Sequence, residues 1–140
     1  MTEEVKANFV DHISIAVKNL GKAEEDFKNI FGWEVAGRYK DLDEKIKVVY
    51  FQVGPTAIEI MEDIDGTGEV AKFIERRGEG VMILSFNVDN CSKALDVLKG
   101  NGANVIDEKP RLAKELNRYF AFIHPRATHG ILTEVIDGKY

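Results

Sequence analysis

The chain has 140 residues, of which 44% are hydrophobic and 31% are charged, the balance of one globular domain with its own core. No run of about 18 apolar residues is present, which excludes a membrane-spanning helix. A net charge of −5, from 19 basic and 24 acidic residues, disfavours a nucleic-acid-binding surface. Residues 1–6 are acidic and polar and predict no secretory signal. We therefore expect a cytoplasmic protein that binds neither nucleic acid nor membrane.

Hydrophobic periodicity predicts strands and helices that alternate along the chain. In chain order, we predict a strand at 8–17, a helix at 20–31, strands at 33–39, 46–53 and 56–61, a helix at 69–77, a strand at 81–88, a helix at 92–99, and strands at 103–106, 118–124 and 131–136. Residues 107–117 are predicted to form a polar loop.

An internal repeat relates the two halves of the chain, and such repeats are a primary indicator of architecture. A shift of 71 residues aligns Ser14 with Ser85 and Asn19 with Asn90, and near the end of each half a shift of 75 aligns 58–60 with 133–135. Each half then reads strand–helix–strand–strand–strand. This order predicts an α+β fold in which two βαβββ modules, about 8–62 and 81–137, are related by pseudo-two-fold symmetry. Their curled mixed sheets would enclose a cleft within a single domain, 1–140, with helix 69–77 as the link.

The repeat also relates four positions that we expect to face this cleft. They are His12 and Glu59 in the first half, and Ile83 and Glu134 in the second. An ionisable residue inside an apolar strand is costly unless it is paired or bound to a metal. Either glutamate could instead point to solvent, if only one face of its sheet is covered. Because the two glutamates are equivalent by the repeat and a histidine joins them, we favour the cleft.

Five segments have distinctive sequences: 11–17 (DHISIAV), 70–80 (VAKFIERRGEG), 107–111 (DEKPR), 122–125 (FIHP) and 130–134 (GILTE). These segments resemble methylmalonyl-CoA epimerases of the vicinal-oxygen-chelate superfamily, which also holds glyoxalases, bleomycin-resistance proteins and dioxygenases. The resemblance covers nearly the whole chain and implies the vicinal-oxygen-chelate fold, a glyoxalase-like domain of two βαβββ modules.

The resemblance also implies a divalent metal ion, such as Co, Mn, Mg, Fe, Ni or Zn. Carried over one position at a time, the ligands are His12 on the first strand, Glu59 on the fourth and Glu134 on the eighth. The family's fifth-strand histidine falls at Met82–Ile83, so one expected ligand is absent. A site with three ligands would bind metal more weakly than one with four.

A second departure from the family concerns proton transfer. The epimerases have a third-strand glutamate that works with the eighth-strand glutamate, here Glu134. Alignment without gaps places Val48 at the third-strand position. Tyr50 and Gln52 share the predicted face of Val48, because side chains in a strand alternate between faces. They are the polar groups that could replace the missing glutamate.

These observations favour an epimerase-like isomerase that transfers a proton at the carbon α to the thioester of an acyl-CoA, with a degenerate metal site. A glyoxalase- or lyase-type enzyme of the same superfamily remains open, because Glu59 suits a glyoxalase-like ligand set. A non-catalytic small-ligand-binding protein also remains open. Lys109, Arg111 and Lys114 would either steer an acyl-CoA phosphate or form a solvated charge run. Pairing of exposed sheet edges makes a homodimer the expected assembly.

Overall fold

The computed structural model describes residues 3–140; the first two residues of the predicted domain lie outside this range. The elements are β1 (Phe9–Ala16), α1 (Leu20–Phe31), β2 (Val35–Asp41), β3 (Ile46–Val53), β4 (Thr56–Asp63), α2 (Glu69–Arg77), β5 (Gly80–Asn87), α3 (Cys91–Gly100), β6 (Arg111–Ala113), β7 (Arg118–Ile123) and β8 (Leu132–Ile136). A short 3-10 turn, Pro125–Thr128, precedes β8. None of the helices described is long and apolar enough to cross a membrane.

The predicted α+β class and the order of two βαβββ modules are confirmed. Helices α1 and α2 begin and end at the predicted residues. The predicted strand at 103–106 is wrong, because Val105 there forms only an isolated bridge to Ile123. The strand β6 lies instead within the predicted polar loop and pairs with β7. The hydrophobic pattern did not predict β6, because it treats Arg111 as a polar residue. In the structure the guanidinium of Arg111 lies over aromatic rings.

The chain divides into two compact units, of which His12–Met82 is one. In this first unit the strand order is β2-β3-β4-β1; β1 runs parallel to β4, and the other neighbours are antiparallel. Its core lies beneath α1 and consists of Val17, Leu20, Val49, Phe51 and Ile60, with Phe27 and Trp33 packed against it. The opposite face of the sheet therefore carries the alternate residues of each strand.

The second unit comprises Ile83–Tyr140 together with the chain up to Asp11. Its strand order is β5-β8-β7-β6, with β5 parallel to β8. One core lies beneath α3 and contains Val88, Cys91, Ala94, Leu95, Ala121, Ile123 and Val135. A separate apolar cluster covers the other face and contains Ala113, Phe120, Phe122 and Ile136, with Ile83, Leu116 and Leu132 against it.

Equivalent hydrogen bonds in the two units confirm the repeat at the level of single residues. In each parallel strand pair a serine lies opposite a glutamate, Ser14 opposite Glu59 and Ser85 opposite Glu134. Each following helix begins with an asparagine cap and with an acidic side chain that accepts its first N–H, which satisfies donors that a helix start leaves open. These bonds are Lys22 N to Asn19 Oδ1 (2.9 Å), Lys93 N to Asn90 Oδ1 (2.9 Å), Leu20 N to Glu62 Oε1 (2.8 Å) and Cys91 N to Asp137 Oδ2 (2.9 Å).

A partly buried ion pair joins α1 to β2 in the first unit. Arg38 donates from Nη2 to Oε2 of Glu24 at 2.7 Å, and Nζ of Lys28 lies 2.9 Å from the same oxygen. The hydrogen bond from Arg38, together with the charge of Lys28, lowers the pKa of Glu24 to about 2. Because this folded-state pKa is below the ordinary value of 4.5, the stabilisation is complete above about pH 4.5 and is lost as the pH falls toward 2.

We therefore predict that Glu24→Gln lowers the free energy of unfolding at pH 7 by on the order of 1 kcal/mol, a modest effect because solvent screens the exposed Arg38. The variant should also lose less stability than the wild type between pH 4.5 and 2. Urea unfolding across this pH range measures both effects. Glu25→Gln, an exposed neighbour on the same helix, is the control, and an equal acid response of all three proteins would contradict the prediction.

Candidate functional site

A buried carboxylate occupies the face of the first unit that lies opposite α1. Glu59 is on β4 and is only 3% exposed. Ile60, the next residue, packs in the core beneath α1, so strand alternation places Glu59 on the other face. His12 and Ser14 on β1 are also buried there. The sequence-based placement of Glu59 away from solvent is consistent with this burial.

Three polar side chains surround the two oxygens of Glu59. Ser14 Oγ donates to Oε1 at 3.1 Å, and Tyr39 Oη donates to Oε2 at 2.8 Å. The imidazole Nε2 of His12 lies 3.7 Å from Oε1. A buried carboxylate requires such donors, because an unpaired charge in an apolar interior is strongly unfavourable. The site is thus a carboxylate with hydroxyl partners and a nearby imidazole.

Tyr39 is a member of this site that the sequence reasoning missed. It lies on β2 directly opposite Val48 of β3, and Val48 is 1% exposed. Val48 is the position at which the family resemblance implies a glutamate. The available signal was the hairpin between the two strands: antiparallel pairing places the phenol of Tyr39 on the same face as Val48. The polar group beside this valine is therefore contributed by the neighbouring strand.

The two residues predicted to replace the missing glutamate have different environments. Tyr50 lies opposite Glu59 on β4 and Gly37 on β2, and a Cβ at Gly37 would collide with the phenol ring. The glycine thus allows the ring of Tyr50 to lie against β2. Gln52 is exposed, and its Nε2 donates to the carbonyl of Gly54 in the adjoining turn at 3.0 Å.

In the second unit, Glu134 occupies the face of β8 opposite α3. It is 6% exposed, and its neighbour Val135 packs in the core beneath α3. Ser85 is its partner across the parallel pair and is fully buried. Unlike Ser14, Ser85 has an Oγ that forms no hydrogen bond within the part of the chain described. The two repeats therefore differ in how the serine is used.

Ile83 belongs to the apolar cluster on this same face. It packs against the cluster that contains Phe120, Phe122 and Ile136, not against the core beneath α3. The sequence aligned Ile83 with His12 by the repeat, and the strand register agrees: Ile83 is opposite Leu132 as His12 is opposite Ala57. An aliphatic side chain thus stands where the resemblance implies an imidazole.

The pair of His12 and Glu59 has the chemistry of a partial metal site. Imidazole nitrogen and carboxylate oxygen both bind first-row divalent ions at about 2.0–2.2 Å, and two such bonds can span the 3.7 Å between Nε2 and Oε1. Within residues 3–140, no group of three or more His, Cys, Asp and Glu side chains is arranged to hold a metal ion. The pair is therefore the part of the predicted ligand set that the structure brings together, and the role of Glu134 stays a prediction.

The remaining thiol and histidines have local structural roles. Cys91 is fully buried and donates from Sγ to the carbonyl of Val135. Burial, with the nearby Asp137 carboxylate, raises the pKa of the Cys91 thiol to about 12, which makes it unreactive at neutral pH. His124 accepts a hydrogen bond from the N–H of Arg126 at the start of the 3-10 turn, and His129 ends that turn in the left-handed region, with φ 58°.

Residues 11–122 match the Glyoxalase/Bleomycin resistance protein/Dioxygenase superfamily, and the chain belongs to that superfamily. The predicted family is thereby confirmed. The fold agrees: the chain is similar to the crystal structure of methylmalonyl-CoA epimerase from Mycobacterium tuberculosis, with a TM-score of 0.90 and 25% identity over 100% of this chain and 94% of the other.

Two relatives in sequence cover almost all of the chain. The uncharacterized protein YqjC of Bacillus subtilis is 30% identical over 132 residues, which are 94% of each chain. The ethylmalonyl-CoA/methylmalonyl-CoA epimerase of Cereibacter sphaeroides is 27% identical over 128 residues, which are 90% of this chain and 95% of that one. The similarity to epimerases therefore extends over the whole fold.

The partners of Glu59 lead to a prediction about Tyr39. Tyr39→Phe should lower the free energy of unfolding by about 1.5–3 kcal/mol, because it removes a hydrogen bond to a buried carboxylate. Denaturant unfolding at pH 7 measures this change. Tyr119→Phe is the matched control, since Tyr119 is 49% exposed on β7, and its stability should change by less than about 0.5 kcal/mol. Equal stabilities for the two variants would refute the importance of the Tyr39–Glu59 bond.

Proposed function

We propose that this protein is an epimerase-like isomerase that transfers a proton at the carbon α to the thioester of an acyl-CoA, with methylmalonyl-CoA as the first candidate. The observation that carries the proposal is the buried pair of His12 and Glu59 opposite α1, in a chain similar over 90% of its length to an ethylmalonyl-CoA/methylmalonyl-CoA epimerase. We further propose that it acts in the cytoplasm as a homodimer.

Epimerisation beside a thioester requires a base that removes the α-proton, an acid that returns one on the other face, and stabilisation of the enolate oxygen. We assign proton removal to Glu134, a buried carboxylate on an otherwise apolar face. We assign the second proton-transfer role to Tyr50 in preference to Gln52, because an amide acts as neither an acid nor a base near neutral pH and Gln52 is bonded to Gly54.

A divalent ion would be held by His12 and Glu59, with Glu134 as the proposed third ligand. When bound, such an ion supplies a Lewis acid that stabilises negative charge on the enolate oxygen. The hydroxyls of Ser14 and Tyr39 orient the Glu59 carboxylate, as outer hydrogen bonds commonly do for a metal ligand.

A non-catalytic ligand-binding protein is the second candidate. The specific observation in its favour is the apolar character of Val48 and Ile83, which are buried or packed in apolar clusters at positions where the family resemblance implies a catalytic acid and a metal ligand. A glyoxalase- or lyase-type reaction is a third candidate and would use the same His12–Glu59 pair.

Hydrogen–deuterium exchange at the α-carbon of methylmalonyl-CoA tests the reaction. Wild-type protein supplied with Mn or Co should catalyse exchange in D2O, and Glu134→Gln should slow it by roughly 10²–10⁴-fold, the contribution of a positioned acid–base group. Glu115→Gln, a charge-matched change at an exposed residue of the same unit, should retain full activity. Binding of methylmalonyl-CoA without exchange would contradict the isomerase proposal and favour a non-catalytic ligand-binding protein.

Metal affinity provides a test independent of activity. Mn titration followed by electron paramagnetic resonance should show about one site per chain, weakened at least about tenfold by His12→Ala or Glu59→Gln, because each removes one ligand. His129→Ala, a change at a turn outside the pair, should leave the affinity unchanged. No Mn or Co binding by the wild type would remove the metal from the proposal.

A further inference from the structure

Arg111 is held in a fixed position over two aromatic rings of the second unit. It lies on β6 opposite Phe120 of β7. Its guanidinium carbon is 5.6 Å from the ring centre of Phe120 and 5.3 Å from that of Phe122. Its Nε donates to Oδ1 of Asp107 at 2.8 Å. Cation–π contacts on the face and a charge-assisted bond at the edge together orient the planar group.

The acidic partner of Arg111 is itself fixed by the backbone. Oδ2 of Asp107 accepts the N–H of Phe122 at 2.8 Å, so the carboxylate is tied to the strand that supplies the aromatic rings. The side chain of Arg111 nevertheless remains 37% exposed. Lys109 and Lys114, its neighbours in the basic segment, are exposed residues. Arg111 is thus an oriented cation that solvent can still reach, which distinguishes it from a solvated charge run.

The face beneath Arg111 carries an apolar cluster, with the buried polar residues Glu134 and Ser85 on the same face. Phe120, Phe122 and Ile136 form its buried cluster, and Phe122 lies directly opposite Glu134 on β8. An apolar surface with a cation above its rings complements a ligand that has both a hydrocarbon part and anionic oxygens. Because the guanidinium is already ordered, binding would cost little further conformational entropy.

We propose that Arg111 binds anionic oxygens of the ligand, either the carboxylate of the acyl group or a phosphate of the CoA. This inference rests on the proposed function and names Arg111 as a residue that determines substrate class. A guanidinium has five N–H donors in a planar fork that matches carboxylate and phosphate. The bond from Nε to Asp107 fixes the orientation of this fork, and the side chain is still 37% exposed to solvent.

Calorimetric binding to three ligands tests the proposal and separates the two sources of charge. The ligands are methylmalonyl-CoA, propionyl-CoA, which lacks the carboxylate, and methylmalonyl-pantetheine, which lacks the phosphates. Arg111→Gln should raise the Kd of methylmalonyl-CoA about 10- to 100-fold, the range expected for a charged hydrogen-bonded contact. Lys109→Gln removes the same charge from an exposed neighbour and should change Kd less than about twofold.

The pattern over the three ligands identifies the group that is bound. Weaker binding of both methylmalonyl ligands, with propionyl-CoA unaffected, assigns the carboxylate; weaker binding of both CoA esters, with the pantetheine ester unaffected, assigns a phosphate. Arg111→Lys keeps the charge but not the planar fork. It should raise the Kd of the same ligands as Arg111→Gln, by a smaller factor. If Arg111→Gln does not fold, the Kd values of Arg111→Lys provide the test. Equal Kd values in the wild type and both Arg111 variants would overturn the proposal, whereas failure of the wild type to bind any acyl-CoA would overturn the proposed function beneath it.

Discussion

Burial of the Glu59 carboxylate is the constraint on which the arrangement of the first unit depends. A carboxyl group with 3% exposure must form hydrogen bonds, and the donors come from two other strands, Ser14 on β1 and Tyr39 on β2. Because side chains alternate, a slip of one residue in either strand would move its hydroxyl to the opposite face. The carboxylate thus fixes the strand register, and the same register brings His12 within 3.7 Å of it.

Much of the fold could be predicted because both halves repeat the same local signals. The asparagine caps at Asn19 and Asn90 and the serine–glutamate pairs are all within reach of sequence comparison. Tyr39 was not found, because its role depends on cross-strand pairing with Val48, which no single-strand pattern contains. The position of β6 was also missed, for a different reason. Arg111 acts there partly as an apolar residue, through its stacking on aromatic rings, whereas sequence patterns treat every arginine as polar.

The two departures from the family pattern have different structural surroundings. Val48 is buried, but Tyr39 beside it supplies a hydroxyl to the same face. Ile83 joins an aromatic and aliphatic cluster, and the hydroxyl of Ser85, two residues along the strand, forms no hydrogen bond within the described chain. Glu59 in the first unit is therefore bonded to two hydroxyl groups, whereas Glu134 in the second unit shares its face with an aromatic and aliphatic cluster.

Two arginines of the second unit differ in whether solvent, and therefore a ligand, can reach their charge. Arg118 is 1% exposed, forms an ion pair with Asp11, which is also buried, and donates from Nε to the carbonyl of Asp137 at 2.9 Å. Removing one partner from such a pair leaves a buried charge without compensation and typically costs 3–5 kcal/mol, so Arg118 is committed to the fold. Arg111 also has an acidic partner and aromatic contacts, yet more than a third of its side chain is exposed. Orientation combined with access is the property that a ligand-binding cation needs, and of these two arginines Arg111 is the one that has both.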